Sequence, residues 1–196
     1  PLLQSSAASD VYKRQGPLAR SIKDLELALK VMSRENYDDP WWTPLPFSLP
    51  MPEKKIALLK KIEGLKIDPI ISAELDIVAK RLENSGWVIE EPKAPNFQEA
   101  AKFQATLWLG EFRRTGGEAI TKENDPDSNF IYSQMSRRCP DTSLEKFMDS
   151  LQQRARISRE WNKFFDQYPI ILCPITGDIP FPDLKDLESE ESFDLV

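Results

Sequence analysis

KIALLKKIEGLKIDPIISAELDIVAKRLENSGWVIEE, residues 55–91, decides the fold. Its opening, Lys55 to Lys60, is an apolar run of strand length. Asp68-Pro69 then supplies an N-cap and a proline at the first helical position, where no amide hydrogen is missed. Ile71, Leu75, Val78 and Leu82 recur at helical spacing and give that helix one core-facing stripe. Gly86 suits the left-handed position after a helix, and Trp87 to Glu91 resumes as a strand. Strand, helix, strand is a βαβ unit, in which the two strands run parallel and the crossover is right-handed. The predicted class is therefore α/β. No G-x-G-x-x-G joins the first strand to the helix, so the unit carries no dinucleotide fingerprint and reads as scaffold.

Downstream, a helical region about 97–167 is expected. Asn96 caps its first helix with Glu99 as reciprocal partner, Ala100, Phe103, Leu107 and Trp108 form its apolar face, and Gly116-Gly117 stops it near Arg114. Lys122 to Pro140, with Asp125-Pro126-Asp127-Ser128-Asn129, reads as a polar loop or irregular lid. Thr142 with Glu145 then opens the longest helix, whose Leu144, Phe147, Leu151, Ala155, Ile157 or Ser158, Trp161 and Phe165 face inward. Arg154, Arg156, Arg159 and Lys163 on its other side interleave with Glu145, Asp149 and Glu160, a solvated ion-paired face rather than an anion site. Pro169 to Thr176 is an apolar run bounded by prolines, consistent with a strand buried on both faces. An acidic tail, 177–196, follows.

Upstream, Gly16 to Met32 reads GPLARSIKDLELALKVM. Ser21 caps a helix, Asp24 completes the capping box, and Ile22, Leu25, Leu29 and Met32 share a face. Arg20 and Asp24 are read as a helix-start pair before any catalytic role. Between this helix and the βαβ unit, Asp39-Pro40-Trp41-Trp42 and the prolines at 44, 46, 50 and 52 make an extended connector in which the tryptophans cover apolar surface. Residues 1–15 include SSAASDVYKRQ, which has no periodicity and matches a translated sequencing-library adapter. They are set aside as a scar of metagenomic assembly, not native protein.

Composition narrows the chemistry. The 196 residues carry 26 basic and 32 acidic side chains, and setting aside Lys13, Arg14 and Asp10 leaves 24 and 31, a net charge near −7. This balance argues against a sequence-independent nucleic-acid binder, which needs clustered cations to neutralise phosphates. There is no histidine, and Cys139 and Cys173 stand alone without metal-ligand spacing. Zinc sites and Ser-His or Cys-His pairs are therefore excluded within this chain, and the thiols read as idle. No run approaches the ~20 apolar residues of a membrane span, which fits a cytoplasmic protein.

Gly16-Pro-Leu-Ala-Arg-Ser21, a variable pair, then Asp24-Leu25 and an Ala/Leu-rich helix resembles the segment after the catalytic nucleophile in the amidase signature family. Asp39-Pro40-Trp41-Trp42 is similar to stand-alone bacterial amidases of the indoleacetamide-hydrolase type. The helix and strand ending Asp166 to Thr176 resemble that family's "YD-hydrophobic-Pro-Thr" pattern, from which Pro169 and Ile175 depart. The resemblance implies the amidase-signature fold, a mixed β-sheet flanked by helices and here incomplete at both ends, so that 16–196 form a partial amidase domain. It also implies hydrolysis of small-molecule amides by a serine, a second serine on a cis peptide and a neutral lysine, without metal or organic cofactor.

A glycine- and serine-rich loop carries both family serines and the oxyanion donors, and in family order it precedes GPLARS. Gly116-Gly117 is the sole glycine pair, and its neighbours are Thr115 and Glu118. No catalytic residue is therefore expected in this fragment, which alone should be inactive. Thr176 is the one residue carried over as a substrate-pocket candidate, and its plainer role is a strand-end hydroxyl satisfying nearby backbone. Within the family the alternative is the A subunit of a tRNA-dependent amidotransferase. From another class it is a non-catalytic α/β interaction module with the acidic tail as contact surface.

Overall fold

Ala57 and Leu58, adjacent on one strand, lie in two different hydrophobic clusters, and this alternation organises the molecule. In the computed structural model, which describes residues 16–40, 42–44, 46 and 53–196, strand β1 (Lys55–Leu58) lies between β2 (Val88–Glu90) and β3 (Ile170–Leu172). Both pairings are parallel, with Ile56 opposite Ile89 on one side and Ile170 on the other. Successive side chains of a strand point to opposite faces. Leu58 accordingly packs on Leu75 and Ala79 of helix α2 (Pro69–Asn84), while Ala57 and Leu59 meet Phe164 and Tyr168 on the other face. Helices thus cover both faces of a parallel sheet, the arrangement that parallel strands require. Within helix α2 the stripe is Ile71, Leu75 and Ala79, and Val78 turns outward.

Local chemistry sets the ends of these elements. Asp68 accepts the Ile70 amide at 2.7 Å ahead of Pro69, and Gly86 takes φ +83°, a conformation glycine adopts without steric cost. Asn96 accepts the Glu99 amide at 3.0 Å and opens helix α3 (Phe97–Thr115). Gly116 ends α3, but Gly117 begins helix α4 (Gly117–Glu123) at once.

The expected loop over 122–140 is mostly helical. Helix α5 (Pro126–Arg138) occupies it, with Asp125 accepting the Ser128 amide at 2.8 Å. Asp125-Pro126 is the same N-cap and first-turn proline that opens α2, and the five-residue string read as a turn is a helix start.

Helix α6 (Leu144–Gln167) is capped by Ser143, whose hydroxyl accepts the Lys146 amide, so the cap lies one residue beyond Thr142. Its buried positions are Ser150, Ile157 and Phe164, with Phe147, Leu151 and Trp161 half-buried. Leu144, Ala155 and Phe165 face solvent, because 24 residues at 3.6 per turn carry the inward face away from the spacing drawn by eye. Ile157 is the inward choice over Ser158. Trp161 stands edge-on to Phe97 at 4.9 Å between ring centroids, tying α6 to the start of α3.

Strand β3 is shorter than the apolar run that predicts it, and its three residues are half-buried rather than enclosed on both faces. The fully enclosed strand is β1. The tail is also ordered: a 3-10 turn (Lys185–Leu187) leads to helix α7 (Glu190–Leu195), capped by Ser189.

The described residues between 16 and 46 belong to a separate unit. It contains helix α1 (Ile22–Met32), capped by Ser21 as predicted, with none of its residues buried. Glu26 pairs with Lys30 along it at 2.6 Å, and the expected pair of Arg20 with Asp24 does not form. Trp42 donates its indole N–H to the Ser33 carbonyl at 3.1 Å. The expectations for residues 1–15, for Trp41 and for most of the proline connector fall outside the described residues.

Candidate functional site

Three parallel strands bring three carboxyl ends to one rim, the place where open α/β sheets bind ligands. After β1 comes Lys60, after β2 Glu91, and after β3 the segment Cys173-Pro174-Ile175-Thr176. Lys60 reaches Asp76 of α2 at 2.7 Å and Glu91 at 3.1 Å. These bonds, Asp76 first and Glu91 second, hold the ammonium above the usual lysine range. A lysine serving as a base must shed its proton near neutrality, which takes the opposite shift. Lys60 is therefore an ion-pairing cation that joins the rim to α2.

Thr176 lies on this rim, four residues past the end of β3, and is exposed. Its hydroxyl donates to the Asp178 carbonyl at 2.8 Å. The segment is fixed by its neighbour: the Gly177 carbonyl accepts the Asp68 amide at 2.8 Å, and a Cβ on Gly177 would meet the Lys66 carbonyl oxygen at 2.5 Å. Only glycine allows that approach, so the turn that carries Thr176 is pinned against the loop leading into α2. Thr176 does satisfy nearby backbone, as the plainer reading holds.

On the far side of β1 a second cluster binds the layers. Tyr168 donates its phenol O–H to Glu90 at 2.7 Å, Lys55 pairs with Glu90 at 3.0 Å, and the Lys55 ammonium lies 4.6 Å from the Tyr168 ring centre. The phenol first, then the ammonium, hold Glu90 below the carboxylate range, and Glu90 in turn pushes both Tyr168 and Lys55 up. Each proton is thereby fixed where it is at neutral pH, and the cluster is a clasp between strands rather than a proton relay.

Among the described residues a groove of about 560 Å³ lies between α3, the 139–142 turn and the start of α6. Lys102, Phe103, Arg138, Cys139, Asp141 and Lys146 contribute to its walls. A shallower depression of about 350 Å³ is bounded by Arg113, Lys122 and Tyr132. Thr176 lines neither of them. The groove escapes sequence reading because two of its walls are helices that read as a loop or begin one residue late. Cys139 and Cys173 are free thiols, half-buried, and no group of three metal-ligating side chains occurs among the described residues. No described helix is long and apolar enough to cross a membrane.

Comparison with known proteins gives this framework a family. The Amidase family model matches residues 2–194. Two indoleacetamide hydrolases, from Bradyrhizobium diazoefficiens and Bradyrhizobium japonicum, are each 32% identical over 174 residues, 88% of this chain. Those matches cover 33% and 37% of the relatives, so the chain spans about a third of their length. Among solved structures a fatty acid amide hydrolase superposes with a TM-score of 0.69 at 21% identity, over 84% of this chain and 31% of that one. The chain shares the fold of the part of that structure it matches, and it belongs to the amidase family.

Proposed function

We propose that this chain is the scaffold portion of an amidase that hydrolyses small carboxamides to a carboxylate and ammonia or an amine, of the stand-alone indoleacetamide-hydrolase type. The observation that carries the reading is the 32% identity to two indoleacetamide hydrolases across 88% of the chain. The reaction resembles that of the family: a serine attacks the amide carbon, a second serine on a cis peptide relays its proton to a neutral lysine, and backbone N–H groups hold the oxyanion. In this reading those groups lie on the part of the relatives that this chain does not span. The described lysines with shifted acidity, Lys55 and Lys60, are both shifted upward, which suits ion pairing and not that role. Thr176 is the pocket-lining candidate, because it stands at the carboxyl rim on a turn held in place by Gly177. No metal and no organic cofactor enters this chemistry.

The tail offers little support for the reading as a docking module. Two of its carboxylates, Glu190 and Asp194, are already engaged by Arg137 and Arg138. Recovery of the contiguous upstream coding sequence tests the proposal. A frame that supplies a lysine and a glycine- and serine-rich loop ahead of Gly16 should encode a protein releasing ammonia from indoleacetamide. Replacing the loop serine with alanine should lower turnover by on the order of 10⁴-fold or more. Ammonia release by residues 16–196 alone would overturn the reading, and so would a full-length protein that only transfers ammonia to acylated tRNA.

A further inference from the structure

Helices α3 and α6 are fastened to each other at two places, and the α3 wall of the 560 Å³ groove, Lys102 to Thr106, lies between them. At one place Arg156 of α6 pairs with Glu99 of α3, and Trp161 stands on Phe97. At the other, Gly110 admits the Phe147 ring, whose Cε2 a Cβ there would meet at 2.9 Å. The turn that closes the groove is held as well. Arg113 donates to the Cys139 carbonyl, and Asp141 accepts the Thr142 amide at 2.8 Å. A groove preformed in this way, with a volume inside the range of about 300–1,000 Å³ typical of small-molecule sites, has the dimensions to take a ligand.

Phe103, Ala105 and Pro140 give its wall an apolar surface. The hydroxyls of Thr106 and Ser150 donate back to the carbonyls of Lys102 and Lys146, at 3.0 and 2.9 Å, and so have no proton left for a ligand. Arg138 is engaged by Asp194 and Gln134, and Asp141 lies 3.9 Å from the Arg113 guanidinium. The Lys102 and Lys146 ammonium groups, one from each helix, have no ion-pair or hydrogen-bond partner among the described residues. Against them stands one unpaired carboxylate, Asp149, which leaves the groove one positive charge in excess in a chain of formal net charge −6.

We propose that this groove binds a small monocarboxylate carried on an apolar body, with the carboxylate held by Lys102 and Lys146 and the body resting on Phe103 and Pro140. A neutral ligand gains nothing from the two ammonium groups. A dianion is opposed by Asp141 and Asp149 on the same wall.

Amide chemical shifts of the 196-residue chain, followed while sodium phenylacetate is added at constant ionic strength, test the proposal. Phenylacetate should move the Phe103, Thr106 and Ser150 amides along one saturating curve with a Kd on the order of 1 mM. The Lys102→Gln, Lys146→Gln double variant should weaken binding about tenfold. Arg159→Gln with Lys163→Gln, an equal loss of charge on α6 outside the groove, should leave it unchanged, with the β1 amide shifts unmoved in both variants. 2-Phenylethanol and inorganic phosphate should each bind about tenfold more weakly than phenylacetate. Groove amides that stay in place up to about 30 mM phenylacetate would overturn the proposal. So would equal weakening in the two double variants, or phosphate binding as tightly as phenylacetate, since either makes the response a general attraction of anions to surface cations.

Discussion

Leu58→Ala is the sharpest probe of how this fold is held. The side chain is 4% exposed and lies between Leu75 and Ala79 of α2 and the flanking Ile89 and Leu172 of β2 and β3. Truncation removes three carbons, and at about 0.8 kcal/mol each the lost transfer energy is roughly 2.4 kcal/mol. Strands on either side and a helix above restrict collapse into the void. A cavity cost of about 24 cal/mol per Å³ therefore adds to the transfer loss, for a total of about 3–4 kcal/mol. Urea denaturation followed by tryptophan fluorescence measures it, because Trp161 sits against the β1 cluster through Phe164. Ile175→Ala is the matched control: the same number of carbons leaves a side chain that is 101% exposed, and the change should stay within about 0.5 kcal/mol. A Leu58→Ala loss under about 1 kcal/mol, or equal losses at the two sites, would refute the assignment of β1 as the centre of the core.

Two further outcomes concern caps and clasps. Asp125→Ala should quicken exchange of the first-turn amides of α5 by on the order of fivefold, as read by hydrogen exchange. The Ser128 amide and hydroxyl hold the Asp125 carboxyl below its usual range, so this cap is present above about pH 3.8 and fades as pH falls further. Tyr168 and Lys55 are both shifted upward by Glu90, so folding favours their protonated forms. Their contribution is complete below about pH 10 and is lost as pH rises above it. Denaturation midpoints at about pH 8 and about pH 11 should therefore differ in the parent chain and differ less in Tyr168→Phe, where the Lys55 contribution remains.

The elements that could be read in advance are those whose instructions are local. Asp68-Pro69, Asn96, Ser21 and Gly86 act within four residues of themselves, and each ends or begins an element where its chemistry says it should. Helix α5 has a local start signal in Asp125-Pro126 as well, but its interior is polar, with Gln134 buried and Arg137 and Arg138 spent on a partner more than fifty residues away. Amphipathic periodicity cannot register a face whose partner is charge. The acidic composition of the tail likewise suggested a free contact surface, because opposite charges meet in space and not along the chain. Thr176 could be named and placed at a strand end, but its hydroxyl partner, Asp178, depends on the turn that Gly177 permits. The groove between α3 and α6 also needs the start of α5, whose signal at Asp125-Pro126 was read as a turn, and the cap of α6, which lies at Ser143 rather than Thr142.

The pairing of β1 with β3 also sets a timetable. Ile56 finds Ile170 only after 114 further residues, the difference of the two positions, have been made. At about 5–20 residues per second of synthesis, the middle strand waits roughly 6–23 s for that neighbour, the first part of it before β2 has been made. During that interval Ala57 and Leu59 have no Phe164 or Tyr168 to cover them. A ribosome that pauses before residue 170 prolongs an adhesive nascent state, and a chaperone that binds β1 during translation would raise the yield of folded product more than one added afterwards.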